Sequence, residues 1–448
     1  MNCPERPKSE MRPIGPNALE ETTFDQPRFR GETKTFLLLQ GHPSPFWREL
    51  GDALAASGHE VLKVHTHLGD SIFWGFRDAV PYRGRFAKWP NWLKNFCLLH
   101  NVTDILYYAD QQPYHVAARE IAKPLGIRCW AVEFGLLRPD WLTVERDGMG
   151  PLSHFPKDRA TIASLAIGQE EPDMKARYLH GFPKEASQEV TYTVLAVFDR
   201  LLYPFYRSDL QRWPAIEYLS WLAVFARARR ERKHADRVQS ALRAKATDFN
   251  LVAMQLRGDY QVRSASPYDG LTDFVEEVLS SFARNAPPDR RLVFKVHPLE
   301  TGLPRWHRKI PAIAKKYGVE DRVDVIRGGN LEFLIRASKG VVLVNSTVGV
   351  HALAAGTPVC ATGTAGFDLP DLTHQAGLDT FWTTPDPVDV EFFSEYRRAL
   401  LSTQVKGSFY NPDGRKEAIG KICRMLTSCH PHRNACPQNH GSIDPPVD

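Results

Sequence analysis

The chain has 448 residues, 43% of them hydrophobic and 24% charged, with a formal net charge of +5. That composition belongs to a folded globular protein, and the small net charge gives no reason to expect nucleic acid as a partner. The length exceeds what one ordinary core fills and points to two domains with appendages. No run approaches the ~20 apolar residues of a membrane-spanning helix. The best, Val190 to Tyr206, is broken by Asp199 and Arg200 and reads as a buried or interfacial helix. Seven cysteines without framework spacing suggest a reducing compartment, so the cytoplasm is the expected location.

Residues 1–31 are polar and proline-bearing and read as a disordered leader. The first structured unit, 32–165, opens with a strand over Lys34 to Leu39 and a turn at Gln40-Gly41-His42-Pro43. Ser44-Pro45 then predicts a capped helix start, Gly58 a stop, and Glu60 to Val64 a second strand. Asp104 to Tyr108, a helix from Pro113 to Leu125 and a strand from Ile127 to Val132 repeat the pattern. Strands alternating with helices predict a parallel sheet covered on both faces.

From 166 to 246 the pattern turns helical and basic: Arg227, Arg229, Arg230, Arg232, Lys233, Arg237, Arg243 and Lys245 crowd one segment. This is either a solvated helix face or a contact for an anionic membrane surface. Strand character returns at Asn250 to Leu256, Leu292 to Val296, Arg322 to Ile326, Gly340 to Val344 and Pro358 to Ala361, predicting a second doubly wound domain over 247–390. Glu391 to Leu401 and Arg415 to Leu426 read as closing helices within 391–428. The tail, 429–448, carries Cys429, His430, His432, Cys436 and His440; it is either a metal tract or a disordered end. Two α/β domains that face each other across a cleft give a GT-B-like architecture, in which ligands meet the carboxyl ends of the strands.

Chemistry-bearing residues gather at those strand ends. Leu292-Val293-Phe294-Lys295-Val296-His297-Pro298 is an apolar run that ends with Lys295 and His297 on one face. That places a cation beside an imidazole, a suitable grip for a phosphate. Val341 to Val344 ends in Asn345-Ser346-Thr347, where hydroxyls at a helix start suit a phosphate or simply cap the helix. Glu133 precedes Phe134-Gly135, and Gln255-Leu256-Arg257-Gly258 precedes Asp259. Each carboxylate is either an ordinary turn residue or one member of an acid/base and nucleophile pair spanning the cleft. No Asp-x-Asp pair is present, so no metal or other cofactor is expected. A nucleoside monophosphate donor needs less charge neutralisation, which a lysine, a histidine and hydroxyls supply.

Several strings then occur in an order that resembles the bacterial capsule polysaccharide biosynthesis family, in its KpsS/LipB-type branch. They are Leu39-Gln40-Gly41 with Ser44-Pro45-Phe46, Phe73-Trp74 to Tyr82-Arg83-Gly84, Asp110 with Pro113-Tyr114-His115, and Gly135-Leu136-Leu137-Arg138-Pro139-Asp140-Trp141. Phe294-Lys295-Val296-His297-Pro298 and Val344-Asn345-Ser346-Thr347-Val348-Gly349 complete the set. The resemblance implies a retaining β-Kdo transferase of group 2 capsule systems. Such an enzyme takes 3-deoxy-D-manno-oct-2-ulosonic acid (Kdo) from CMP-Kdo and places it on a (lyso)phosphatidylglycerol acceptor. It also implies that His297 and Lys295 hold the CMP phosphate beside Ser346 and Thr347, that Asp259 is the nucleophile and that Glu133 is the acid/base. Gln40, Gly41, Asp110, Gly135, Arg138, Gln255 and Asn345 are the further expected substrate contacts. The family reads Glu-Glu-Gly where this chain has Glu133-Phe134-Gly135. A phospholipid acceptor implies a peripheral place on the inner membrane and, in that setting, capsule assembly or export proteins as partners. Two other readings remain open: a non-catalytic factor that binds capsule glycolipid, and a sialyltransferase-like enzyme using another CMP-sugar.

Overall fold

A computed structural model describes residues 33–179, 192, 198–199, 201–207, 214–256, 258, 260–300 and 303–428. The leader, the Cys/His tail, Arg257 and Asp259 lie outside the described residues, as do 190–191, 193–197 and Arg200 of the Val190 to Tyr206 run.

Two parallel-rich sheets organise the chain. In the first, strands β1 (Thr35–Leu38), β2 (Glu60–His65), β3 (Val80–Pro81), β4 (Asp104–Tyr107) and β5 (Arg128–Phe134) run parallel in the order β5-β4-β1-β2-β3. In the second, β7 (Phe249–Ala253), β8 (Arg291–Val296), β9 (Val323–Arg327), β10 (Val341–Leu343) and β11 (Val359–Ala361) stand in the order β11-β10-β7-β8-β9, again parallel. Each is a doubly wound arrangement, with the order reversing beside its first strand. Ligands bind outside the carboxyl ends of the strands at such a reversal. The switch points therefore fall between β1 and β4, where Gln40 and Asp110 follow, and between β7 and β10, where Gln255 and Asn345 follow.

Both faces of both sheets are buried, and the alternation along each strand assigns the core. Phe36 and Leu38 of β1 face a cluster with Phe46, Leu50 and Leu54 of helix α1 (Phe46–Ala56) and with Ile419, Ile422 and Leu426 from the end of the chain. Leu37 and Leu39 face the other way, onto Trp89, Leu93 and Phe96 of Trp89–Leu99 and Tyr114, Ala118 and Ala122 of Pro113–Ala122. In β8, Leu292, Phe294 and Val296 pack against helix Leu271–Asn285, whereas Val293 points to the opposite core.

The structure departs from the sequence expectations in three places. The first sheet is not purely parallel: β6 (Trp141–Arg146) turns back antiparallel on β5, and β12 (Gln404–Lys406) lies antiparallel to β6. The closing segment also belongs structurally to the first unit. Beyond β12, helix Pro412–Thr427 packs on α1, with Arg415 forming a two-pronged pair to Glu49 at 2.8 and 2.9 Å. Finally, α1 begins at Phe46 rather than under a Ser44 cap. The Ser44 hydroxyl lies 3.1 Å from His42 Nδ1 and receives the Phe46 amide only at 3.4 Å.

Candidate active site

Four strands of the first sheet deliver polar groups to one edge. After β1, Gln40 and Gly41 form a turn whose backbone is fixed from two sides. The Gly41 amide donates to Asp70 Oδ1 at 3.3 Å, and a Cβ at Gly41 would lie 2.4 Å from the Trp47 ring. Gly41 is thus required by packing as much as by any ligand. Along the end of β2, Lys63, His65 and His67 share a face, and all are buried. Lys63 Nζ donates to Asp70 Oδ2 and to the Leu39 carbonyl, each at 2.6 Å, and His65 Nδ1 donates to Asp70 Oδ2 at 3.1 Å. Lys63 foremost, with His65 and His67, holds the Asp70 carboxyl far below the usual range despite its burial. Burial lowers His67 and His115 to about 4 and His42 to about 3, so these imidazoles are neutral at pH 7.

Tautomers follow from these partners. His115 Nδ1 faces the Ala109 carbonyl at 2.9 Å and must carry the proton there; its Nε2 is then a buried acceptor with no partner among the described residues. His65 Nε2 and Gln40 Oε1 are in the same position, while Gln40 Nε2 donates to the Tyr192 hydroxyl at 2.6 Å.

After β4, Asp110 is buried, with Oδ2 accepting the Met149 amide at 2.8 Å. Its carboxylate anchors the turn after β6 from behind the edge. Near the end of β5 stands Glu133, half-buried, with the Phe134 and Ala109 amides close enough to favour its ionised form. Burial, reinforced by the Asp110 charge, pushes Glu133 up to about 8, against the pull of those amides and Arg138. Gly135 is a packing glycine: its amide donates to the Trp141 carbonyl at 2.8 Å, and a Cβ would lie 2.6 Å from Gln404 Oε1.

The second sheet presents its own set. Gln255 and Asn345 exchange amide hydrogen bonds of 2.9 and 3.1 Å across the switch point. Lys295 is nine-tenths buried and has no hydrogen bond or ion pair among the described residues; burial lowers its pKa. His297 Nδ1 accepts the Leu299 amide at 3.1 Å, which leaves the proton of the neutral ring on Nε2. The Ser346 hydroxyl receives the Val348 amide at 3.3 Å, and Thr347 precedes helix Val348–Ala354 without a capping bond from its side chain.

Arg138 joins the two edges. Its guanidinium lies 4.9 Å from the Phe134 ring and close enough to influence both Glu133 and His351 of helix Val348–Ala354. Beside it, Leu136 packs into the core of the second unit, 3.2 Å from where a Cβ on Gly366 would be. The loop after β5 is thereby held against the second unit near Gly366 and helix Val348–Ala354. A further basic recess of about 680 Å³ opens between helices Pro214–Ala244 and Trp306–Lys316, lined by Arg227, Arg305, Arg308 and Lys309. Arg229, Arg230, Arg232, Lys233, Arg237 and Arg243 of the run noted in the sequence are exposed on the long helix, and the buried residues described on it include Ser220, Val224, Ala235, Gln239 and Leu242.

The site residues foreseen in the sequence thus fall into two groups, Gln40, Gly41, Asp110, Glu133 and Arg138 on one edge and Gln255, Lys295, His297, Asn345, Ser346 and Thr347 on the other. Sequence reading missed Lys63, His65, His67 and Asp70, and noted His115 only within a motif. The signal available for the first three was their two-residue spacing at the end of an apolar strand. Among the described residues, no helix is long and apolar enough to cross a membrane.

Two doubly wound units with polar strand ends brought together by one loop define a protein of the GT-B architectural class. The family model for "Capsule polysaccharide biosynthesis protein" matches residues 103–410, and the chain belongs to that family. It is 30% identical over 386 residues to the capsule polysaccharide export protein KpsS of Escherichia coli, covering 84% of this chain and 97% of that one. It is 31% identical over 390 residues to the capsule polysaccharide modification protein LipB of Neisseria meningitidis, covering 84% and 92%. Among solved structures it is similar to KpsC of Thermosulfurimonas dismutans, described as a beta Kdo 2,7 transferase, at 15% identity over 88% of this chain and 100% of that one, with a TM-score of 0.43.

Proposed function

We propose that the protein is a retaining glycosyltransferase that moves β-Kdo from CMP-Kdo to a (lyso)phosphatidylglycerol acceptor, starting the lipid linker of a capsular polysaccharide. The observation that carries this reading is the Glu133 carboxylate. It stands at a strand tip with its pKa pushed up to about 8, and the Arg138 charge acts both on it and on His351 of the helix that follows Ser346 and Thr347. A carboxylate with that affinity for protons suits removal of a proton from an attacking hydroxyl near neutral pH.

The chemistry divides into two displacements. In the first, the Asp259 carboxylate attacks the anomeric carbon of Kdo and CMP departs with the bonding electrons. Cytidylate is a good leaving group and needs charge stabilisation more than protonation. Lys295, the Nε2–H of His297 and the hydroxyls of Ser346 and Thr347 supply it. In the second, an acceptor hydroxyl attacks the same carbon from the opposite face, the bond to Asp259 breaks, and Glu133 takes the hydroxyl proton. Two inversions retain the β configuration.

The test is incubation of purified protein with CMP-Kdo and a fluorescent lysophosphatidylglycerol, read by mass spectrometry. Addition of one Kdo residue supports the reading. No mass gain while both ligands bind would favour the glycolipid-binding alternative, and a parallel incubation with CMP-sialic acid separates the other CMP-sugar reading.

A further inference from the structure

The described residues of the turn at 198–207, all but Arg200, have their amphipathicity inverted. Its polar and tyrosine side chains point inward: Asp199 and Tyr203 are 4% and 5% exposed, and Tyr206 stacks on Tyr114 at 5.7 Å. Asp199 Oδ1 accepts the Leu68 amide at 2.6 Å, the Tyr203 hydroxyl lies 3.3 Å from Ser71 Oγ, and the Arg207 amide donates to the Tyr114 hydroxyl at 3.1 Å. These bonds fasten the turn to helix Leu68–Trp74 after β2 and helix Pro113–Ala122 after β4. Its apolar side chains are left in solvent: Phe198, Leu201, Leu202 and Phe205 are 52%, 81%, 43% and 48% exposed. Scattered exposed apolar residues need no explanation, but four within eight residues on an anchored turn do.

Around this patch stand three exposed arginines. Arg85 lies over the Phe205 ring at 5.3 Å, Arg83 over Tyr203 at 5.8 Å and Arg207 over Phe86 at 4.9 Å. None has a carboxylate partner among the described residues. Large apolar side chains ringed by unneutralised cations match an anionic lipid surface: the apolar groups enter the acyl boundary and the guanidiniums meet phosphates. A protein partner of mixed charge would not call for a rim of one sign.

We propose that this turn docks the protein on an anionic bilayer, with Phe198, Leu201, Leu202 and Phe205 inserted and Arg83, Arg85 and Arg207 on lipid phosphates. The placement rests on the lipid-acceptor reading above and deepens it. Leu68, Ser71 and Tyr114 neighbour the loops that carry His67 and Asp110, so the bilayer meets the edge of the first sheet. A lipid head group then reaches the site while its chains stay in the membrane. The basic run of helix Pro214–Ala244 becomes an auxiliary contact.

The test is sedimentation of the full chain with vesicles of phosphatidylcholine containing phosphatidylglycerol, alongside pure phosphatidylcholine. Leu201→Ser with Phe205→Ser is expected to weaken binding to the anionic vesicles by about tenfold or more, since each side chain forfeits apolar burial. Arg83→Gln, Arg85→Gln and Arg207→Gln together should erase the preference for anionic over neutral vesicles. Both variants should keep the wild-type melting temperature and wild-type transfer to a dispersed short-chain acceptor. Unchanged vesicle binding in either variant overturns the proposal. So does a wild-type dimer that the Leu201→Ser and Phe205→Ser pair splits without loss of vesicle binding, because the patch is then a self-contact. Absence of transfer to any acceptor, with vesicle binding and its loss as described, would sink the enzymatic reading and leave the docking surface standing.

Discussion

Gln255 and Asn345 clasp each other by two amide hydrogen bonds, 2.9 and 3.1 Å long, at the point where the strand order of the second sheet reverses. The clasp ties the ends of β7 and β10 into one rigid rim and aims the following Ser346 and Thr347. Asn345→Leu removes that partner from the buried Gln255 amide, which costs about 1–3 kcal/mol. Thermal melts should show the loss, and calorimetric titration with CMP should show weaker binding. An unchanged CMP affinity would mean that the clasp does not order the donor side.

Glu133 should impose a pH dependence on transfer. With the carboxyl pushed up to about 8 by burial and by Asp110, the ionised base is a minority at pH 7. The rate is expected to rise with pH and level off above about 8. Glu133→Gln should lower kcat by about 10²–10⁴-fold, the usual worth of a positioned general base, and abolish the rise. The check is a pH–rate profile for both proteins with a saturating donor.

Asp110→Asn separates charge from structure. Removing the negative charge beside Glu133 lowers the glutamate's pKa, so the rising limb of the profile moves to lower pH. If the amide nitrogen takes the Oδ2 position it also faces the Met149 amide donor to donor, at a cost of about 1–3 kcal/mol. A limb that stays in place would show that Asp110 does not act on Glu133.

Stability should fall with acid before most carboxylates titrate. His42, His67 and His115 have folded pKa values of about 3, 4 and 4, below the ordinary 6.5, so the unfolded chain binds more protons than the folded one between those values and 6.5. Stability contributed by keeping them neutral is full above pH 6.5 and is lost as pH falls through that window. Glu133 acts oppositely, since its raised pKa lets the folded state bind the extra proton between 4.5 and about 8. Three imidazoles outweigh one carboxyl below pH 6. His42→Phe, which retains the stack on Phe409, should flatten the slope of melting temperature against pH. An equally steep slope in that variant would refute the role of His42.

Much of this architecture is written in local pattern. The runs ending at Leu39, Val296 and Val344 are apolar on both faces, so they announce buried parallel strands, and the polar residues that follow them mark the rim. The short edge strand is different: Gln404–Lys406 owes its place to pairing with Trp141–Arg146, a contact spanning more than 250 residues of chain that no local signal carries. The site was legible where a motif ended a strand, as with His297 and Asn345. It was illegible at Asp70, which comes from the helix after β2 and meets the Gly41 amide only when β1 and β2 pair. Gly135 read as an opening for ligand, whereas packing against Gln404 explains it.

The most direct measurement is the intact mass of Glu133→Gln after exposure to CMP-Kdo. Stalling the second displacement should leave one Kdo residue on the protein, with the adduct mapping to the peptide containing Asp259. A variant that stays unmodified while transferring Kdo to lipid at the wild-type rate would contradict both the base assigned to Glu133 and the two-step route.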